Sequence, residues 1–129
     1  AENNVQKAEI QMELAKVHAN LGRKSAARNA AKEAANLDES KTKDAYSLIG
    51  GLYMNSFNDC RGGVSRVKDR SIYMAAYNAY QRAGDSQGMA QARAQFPSRE
   101  EIFTEGLQVG GTINTGCWIG ETVTLATRD

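Results

Sequence analysis

Two stretches at helical spacing limit what this chain can become: Tyr46-x-x-Ile49-Gly50-x-x-Tyr53 and Ala76-x-x-x-Tyr80-x-x-Ala83. Steps of three and four residues place each set along one side of an α-helix. A side that mixes rings with glycine or alanine suits a close helix-to-helix contact, so the tyrosines read as core and not as a ligand box. Only one proline interrupts the 129 residues, and an apolar content of 41% is enough for one domain with its own core. Alanine loses least on entering a helix, so the alanine-rich composition argues for a mainly α fold and against an all-β one. The formal charge of +1 supplies no general field toward nucleic acid or anionic lipid. No apolar run approaches the roughly 20 residues that span a bilayer, so direct membrane insertion is not expected. The chain opens at Ala1-Glu2-Asn3-Asn4 without methionine or export segment, which reads as a trimmed or mature piece of a longer protein.

In chain order, Val5 to Leu21 forms a first helix with Val5, Ala8, Met12, Ala15 and Ala19 on one stripe. Ile10, Leu14, Val17 and Leu21 form a second stripe, expected to pack on a neighbouring unit. Gly22 stops this helix. Lys24 to Leu37 forms an alanine-built second helix, with Arg28, Lys32 and Glu33 on its solvated side. Ser40 to Thr42 is expected to cap the third helix through a side-chain oxygen. From Leu14 to Ala27 is 13 positions, whereas from Ile49 to Ala76 is 27, and the excess of 14 is an insertion. It falls at 58–70, read as a loop, with helix four starting near Asp69 and stopping at Gly84. Ser86 to Gln95 is a short helix closed by Pro97, and Ser98-Arg99-Glu100-Glu101 is a capping box that opens another. Beyond Gly106 the period becomes alternating, and Cys117, Ile119, Val123 and Leu125 share one side of an expected strand. The chain therefore divides into a first helical pair (1–41), a second with its inserted loop (42–84), capping helices (85–104) and a β-hairpin tail (107–127). A lone hairpin is marginal in water, so the tail must pack on helices or on another chain.

Residues with reactive side chains are few. His18 is the only histidine, and no second histidine or cysteine stands at ligand spacing from it, so a packed histidine is preferred to a zinc ligand. The inserted loop carries Arg61, Arg66 and Lys68 around Gly62-Gly63. A phosphate cradle there lacks the spaced glycine and Gly-Lys-Ser/Thr of a nucleotide loop, and a nucleic-acid contact lacks interleaved aromatics. The loop therefore reads as an ordered surface segment tied down by its cysteine and by ion pairs. No histidine stands near Cys60 or Cys117 in the sequence to make a catalytic thiolate. They read as a disulfide, which implies an oxidising compartment, or else as two reduced buried thiols. Trp118 beside Cys117 is a packing anchor or an exposed partner contact.

The runs Tyr46-x-x-Ile49-Gly50-x-x-Tyr53 and Ala76-x-x-x-Tyr80-x-x-Ala83 resemble the two helices of a tetratricopeptide repeat. Leu14-Ala15 and Ala27-x-x-x-Ala31-x-x-Ala34 resemble a more degenerate first repeat, in which Leu37-Asp38-Glu39 replaces the usual Leu-Asp-Pro. With Gln95-Phe96-Pro97-Ser98 and Gly116-Cys117-Trp118-Ile119, the whole chain resembles the C-terminal region of tetratricopeptide-repeat proteins of the bacterial cell envelope. That resemblance implies export to the periplasm or cell envelope and a non-catalytic scaffold that binds a protein or peptide partner. It implies a groove lined by Glu9, Met12, Lys16 and Asn20, then Asp44, Ser47, Gly51 and Asn55. No cofactor, metal or nucleic acid is expected. The alternatives are self-association through the β tail and a thiol enzyme using Cys60 or Cys117 with His18 as base.

Overall fold

Residues 2–129 are described by the structure, a computed structural model. The first helix, α1 (Glu2–Asn20), turns through Gly22, whose φ of +77° is open to glycine, into α2 (Lys24–Leu37). Ala8, Met12 and Ala15 of α1 are buried, as are Ala27, Ala30, Ala31 and Ala34 of α2, so small side chains bring the two axes close. The second apolar stripe of α1 departs from expectation. Ile10, Leu14, Val17 and Leu21 are 59%, 42%, 51% and 60% exposed, because no element of the described residues lies on that side of the helix.

A 3-10 turn (Glu39–Lys41) leads into α3 (Thr42–Met54). The expected cap at Ser40 to Thr42 is not found, since α3 starts after Lys41 with no side-chain cap. Asp38, four residues earlier, accepts the Ser40 N–H at 3.0 Å, and the Thr42 N–H turns to Glu39. The 3-10 turn thus supplies the carbonyl that a cap would otherwise replace.

The insertion expected as a loop at 58–70 is mostly helical. It comprises α4, a single turn (Phe57–Cys60), five irregular residues at 61–65, and the start of α5 (Arg66–Ala83). Helix α5 is capped by Ser65, whose Oγ accepts the Lys68 N–H at 2.9 Å, and not by Asp69. Asp69 lies within the first turn and accepts N–H bonds from Gly62 and Gly63 at 2.8 and 2.9 Å. A carboxylate there is favoured by the positive end of the helix and satisfies two loop donors.

Tyr80 of α5 holds the centre. A Cβ at Gly50 on α3 would sit 2.7 Å from its ring, and one at Gly88 would collide with the same ring. Gly88 lies in α6 (Ser86–Arg93), which Asp85 caps by accepting the Gly88 N–H at 2.9 Å. After Pro97, α7 (Arg99–Thr104) opens with both halves of the Ser98–Glu101 capping box present. It seals the fold through Ile102 alone, since Phe103 is 81% exposed.

The tail is an antiparallel pair, β1 (Thr112–Asn114) with β2 (Thr122–Thr124), in which Ile113 faces Val123. The long alternating strand expected from Cys117 onward is corrected: Cys117 to Gly120 form a turn, closed by the Gly120 N–H on the Gly116 carbonyl at 2.9 Å. Cys117 itself takes a left-handed φ of +59°, which points it out of the alternation. Ile119, Val123 and Leu125 remain buried, and both strands pack on α5.

The Tyr80 slot yields a contrast between adjacent glycines. Gly50→Ala should destabilise the protein by about 1–3 kcal/mol through overpacking, read as a lower denaturant midpoint. Gly51→Ala, where a Cβ would meet only the Tyr80 hydroxyl at 3.9 Å, should leave the midpoint near the parent value.

Candidate functional site

Helix α1 and the beginning of α3 enclose an open cleft of about 790 Å³. Its floor is Met12, 5% exposed, and its polar walls are Glu9, Glu13, Lys16, Lys41 and Asp44. Toward the outer side of α1 it continues onto Ile10, Leu14 and Val17. Helical spacing explains the grouping: Glu9, Met12, Glu13 and Lys16 are three or four residues apart and rise on neighbouring turns. Lys41 approaches Glu9 at 3.9 Å and Lys16 approaches Glu13 at 3.5 Å, with both carboxylates largely in solvent. Exposed pairs of this kind contribute little to stability, so a ligand can exchange into them at low cost.

Four of the eight groove residues expected from sequence, Glu9, Met12, Lys16 and Asp44, line this cleft. The other four lie elsewhere. Ser47 donates to Asp85 at 3.2 Å and ties α3 to the cap of α6, while Gly51 is half-buried near Tyr80. Asn20 is exposed at the end of α1, and Asn55 caps α3 with its carbonyl taken by Lys24 at 2.9 Å. The reason is geometric: the second helical pair continues into α6, which covers the middle of α3, so only its first turn faces open space.

A second constellation gathers at the tail. Cys60 and Cys117 are joined sulfur to sulfur with Cα atoms 5.6 Å apart, and no other cysteine is present. Beside them Arg28, expected on the solvated side of α2, instead donates to the Ile119 and Trp118 carbonyls at 2.9 and 3.2 Å. Its guanidinium also lies 4.9 Å from the centre of the Trp118 ring. Trp118 packs on Tyr53 at 5.4 Å, and its indole N–H donates to Ser56 at 3.1 Å. Trp118 is therefore a half-buried anchor of the tail. The Tyr53 hydroxyl donates to Glu121, and burial followed by that carboxylate pushes its pKa well above the ordinary value of 10. No helical periodicity in the sequence marks Arg28 as the residue that bridges to a segment 90 positions away.

The inserted segment is closed to phosphate by its own chemistry, since Asp69 already occupies the Gly62 and Gly63 donors. Arg66 pairs with Glu101 at 2.8 Å, whereas Arg61 is exposed and without an ion pair among the described residues. Lys68 runs beside Gly116 in the tail, where a Cβ would lie 3.7 Å from its Cε. His18 is half-buried with Nδ1 unpaired, and no group of three metal-ligating side chains forms among the described residues. Both sulfurs are engaged with each other, so His18 has no thiol to activate.

Glu101 carries the clearest charge effect. Its carboxyl is held at about 2, below the ordinary 4.5, first by the Ser98 N–H it accepts and then by Arg66. No helix among the described residues is long and apolar enough to cross a membrane. Comparison of the chain with protein-family models, with curated proteins and with solved structures finds no match.

Two outcomes follow for stability. Denatured, unreduced protein should show no free thiol, and reduction should lower stability by about 4 kcal/mol, since the bond closes a long loop in the unfolded chain. A carboxyl with a depressed pKa stabilises the fold above its unfolded value, and this contribution fades as pH falls from 4.5 through 2. Glu101→Gln should therefore flatten the acid limb of the pH–stability profile in that window.

Proposed function

We propose that the chain is a non-catalytic protein-interaction module of the tetratricopeptide type, which receives a segment of a protein partner in the cleft between α1 and α3. The observation that carries this reading is the convergence of Glu9, Met12, Lys16 and Asp44, four of the positions the repeat resemblance assigns to a groove, on one open cleft. An apolar floor with alternating charges on its walls fits a peptide that buries one or two apolar side chains and pairs its own charges with Lys16, Lys41 and Asp44. Such a site fixes register by charge and derives affinity from the buried side chains. The joined cysteines and the cell-envelope resemblance together support action in an oxidising compartment, with the periplasm or cell envelope as the reading taken.

The test is capture from a native envelope extract on immobilised protein, with partners identified by mass and then titrated individually. Charge reversal at Lys16 and Asp44 (Lys16→Glu with Asp44→Lys) should weaken the captured partner about tenfold or more, because rim charges set register and on-rate. Phe103→Ala, on the far helix α7, should leave binding unchanged. A partner whose affinity ignores the Lys16 and Asp44 changes would overturn the placement of the site.

A further inference from the structure

The buried run Tyr46, Ile49 and Tyr53 of α3 floors a small cavity of about 250 Å³ that shares no residue with the α1–α3 cleft. Steps of three and four residues set these side chains in one line along the helix. Helix α3 packs on both α2 and α5, and each of those helices supplies a wall. Lys32 stands on the α2 wall, and Asn78 and Arg82 stand on the α5 wall. Glu121 of the tail is the single carboxylate of the lining among the described residues.

The charges are sorted along this line. Arg82 lies with its guanidinium 4.4 Å from the centre of the Tyr46 ring and so marks the Tyr46 end. Lys24 of α2 reaches Asn55 and Arg28 reaches Tyr53, so α2 runs antiparallel to α3. Lys32, one turn beyond Arg28, is therefore displaced toward the Tyr46 end as well. Glu121 accepts the Tyr53 hydroxyl and marks the other end, seven residues or about 10 Å away along α3. Neither Lys32 nor Arg82 has an ion pair among the described residues, and Oε1 of Glu121 is left free by the Tyr53 bond, which falls on Oε2. Arg28, at the Glu121 end, is committed to the Ile119 and Trp118 carbonyls and to the Tyr53 hydroxyl.

We infer that this cavity binds a small linear zwitterion, an ω-amino carboxylate, with its carboxylate between Lys32 and Arg82 and its ammonium on Glu121. A guanidinium laid on a ring keeps its N–H edge free and fixed in direction, which is the geometry that receives a carboxylate. Lys32 adds a second cation from the facing wall, and Asn78, one turn before Arg82, adds an amide N–H. Ile49 and the tyrosine rings give a methylene stem an apolar floor. A simple anion would leave Glu121 unmatched, and a simple cation would meet Lys32 and Arg82, so charge complementarity selects a ligand that carries both signs at its two ends.

The test titrates ε-aminocaproate, hexanoate and hexylamine separately into the whole protein and follows the ring resonances of Tyr46 and Tyr53. ε-Aminocaproate should saturate with a Kd of about 1 mM or tighter, the range open to a ligand of so few atoms. Hexanoate should bind about tenfold more weakly, and hexylamine should give no saturable shift. Lys32→Gln and Arg82→Gln should each weaken ε-aminocaproate and hexanoate about tenfold, by removing one of the two cations. Glu121→Gln keeps an oxygen for the Tyr53 hydroxyl, and should lower ε-aminocaproate to the affinity of hexanoate while leaving hexanoate unchanged. The denaturant midpoint of each variant reports whether the domain is intact, and the titrations of the unsubstituted protein decide the outcome where it is not. Absence of a saturable shift with ε-aminocaproate in that range would overturn the inference. So would equal affinity for ε-aminocaproate and either of the singly charged compounds, or affinities that ignore all three substitutions. Partner binding at Lys16 and Asp44 is read in its own titration, so failure of one site leaves the other standing.

Discussion

The ring of Tyr80, held between Gly50 and Gly88, sets the spacing on which the rest of the molecule depends. Helices packed through ordinary side chains keep their axes about 8–10 Å apart, and removing the side chain from one partner lets a ring from the other fill that space. Because two glycines on α3 and α6 receive the same ring, three helices are located by a single side chain. Their distance and rotation are then fixed together. The middle of α3 is consumed by this arrangement, through Ser47 and Asp85 as well as through Gly50 and Gly51. Only the first turn of α3 is left to face α1, and the cleft exists because of it.

The tail is held by a different kind of force. Three-residue strands do not sustain themselves in water, and β1 with β2 gains order from burial of Val123 and Leu125 on α5. Arg28 then attaches the turn by donating to two of its carbonyls, groups that would otherwise be left without partners. Trp118 completes the attachment with its ring against Tyr53 and its N–H on Ser56. The Cys60–Cys117 bond links the same turn to α4, and Cys117 accepts a left-handed backbone to make it. Hydrogen bonding, ring packing and a covalent bond thus converge on residues 116–121. The inserted segment and the tail form one structural unit, although more than fifty residues separate them.

These two anchored regions leave the first helix as the most open element. On one side α1 borders the cleft with paired but exchangeable charges; on another it shows apolar residues that α3, in the same register, keeps covered. Both sulfurs are joined to each other, and the Gly62 and Gly63 donors are filled by Asp69.

Local chemistry in the sequence by itself determined most of the helices, the stops at Gly22 and Gly84, the capping box at Ser98 and Glu101, and the cores of α3 and α5. Those features depend on periodicity and on neighbours within four residues, and both are written in the chain order. Of the residues expected to line a groove, Glu9, Met12, Lys16 and Asp44 border one cleft, whereas Ser47, Gly51 and Asn55 are engaged in other contacts that depend on where α6 and α2 come to lie. The inserted segment reads as a loop because turn formers and charges are gathered in it, and only the folded arrangement shows Asp69 accepting from Gly62 and Gly63 while Ser65 takes the helix start. Arg28 looked solvated for a similar reason, since nothing within its own helix announces a turn 90 residues on. The sequence alone determined most of the helical segments, all but α4 and the first turn of α5, and which side chains could form a core. Only the tertiary structure decided which surfaces stay uncovered, because exposure is a property of what packs against a residue, and that is settled by contacts between segments far apart in the chain.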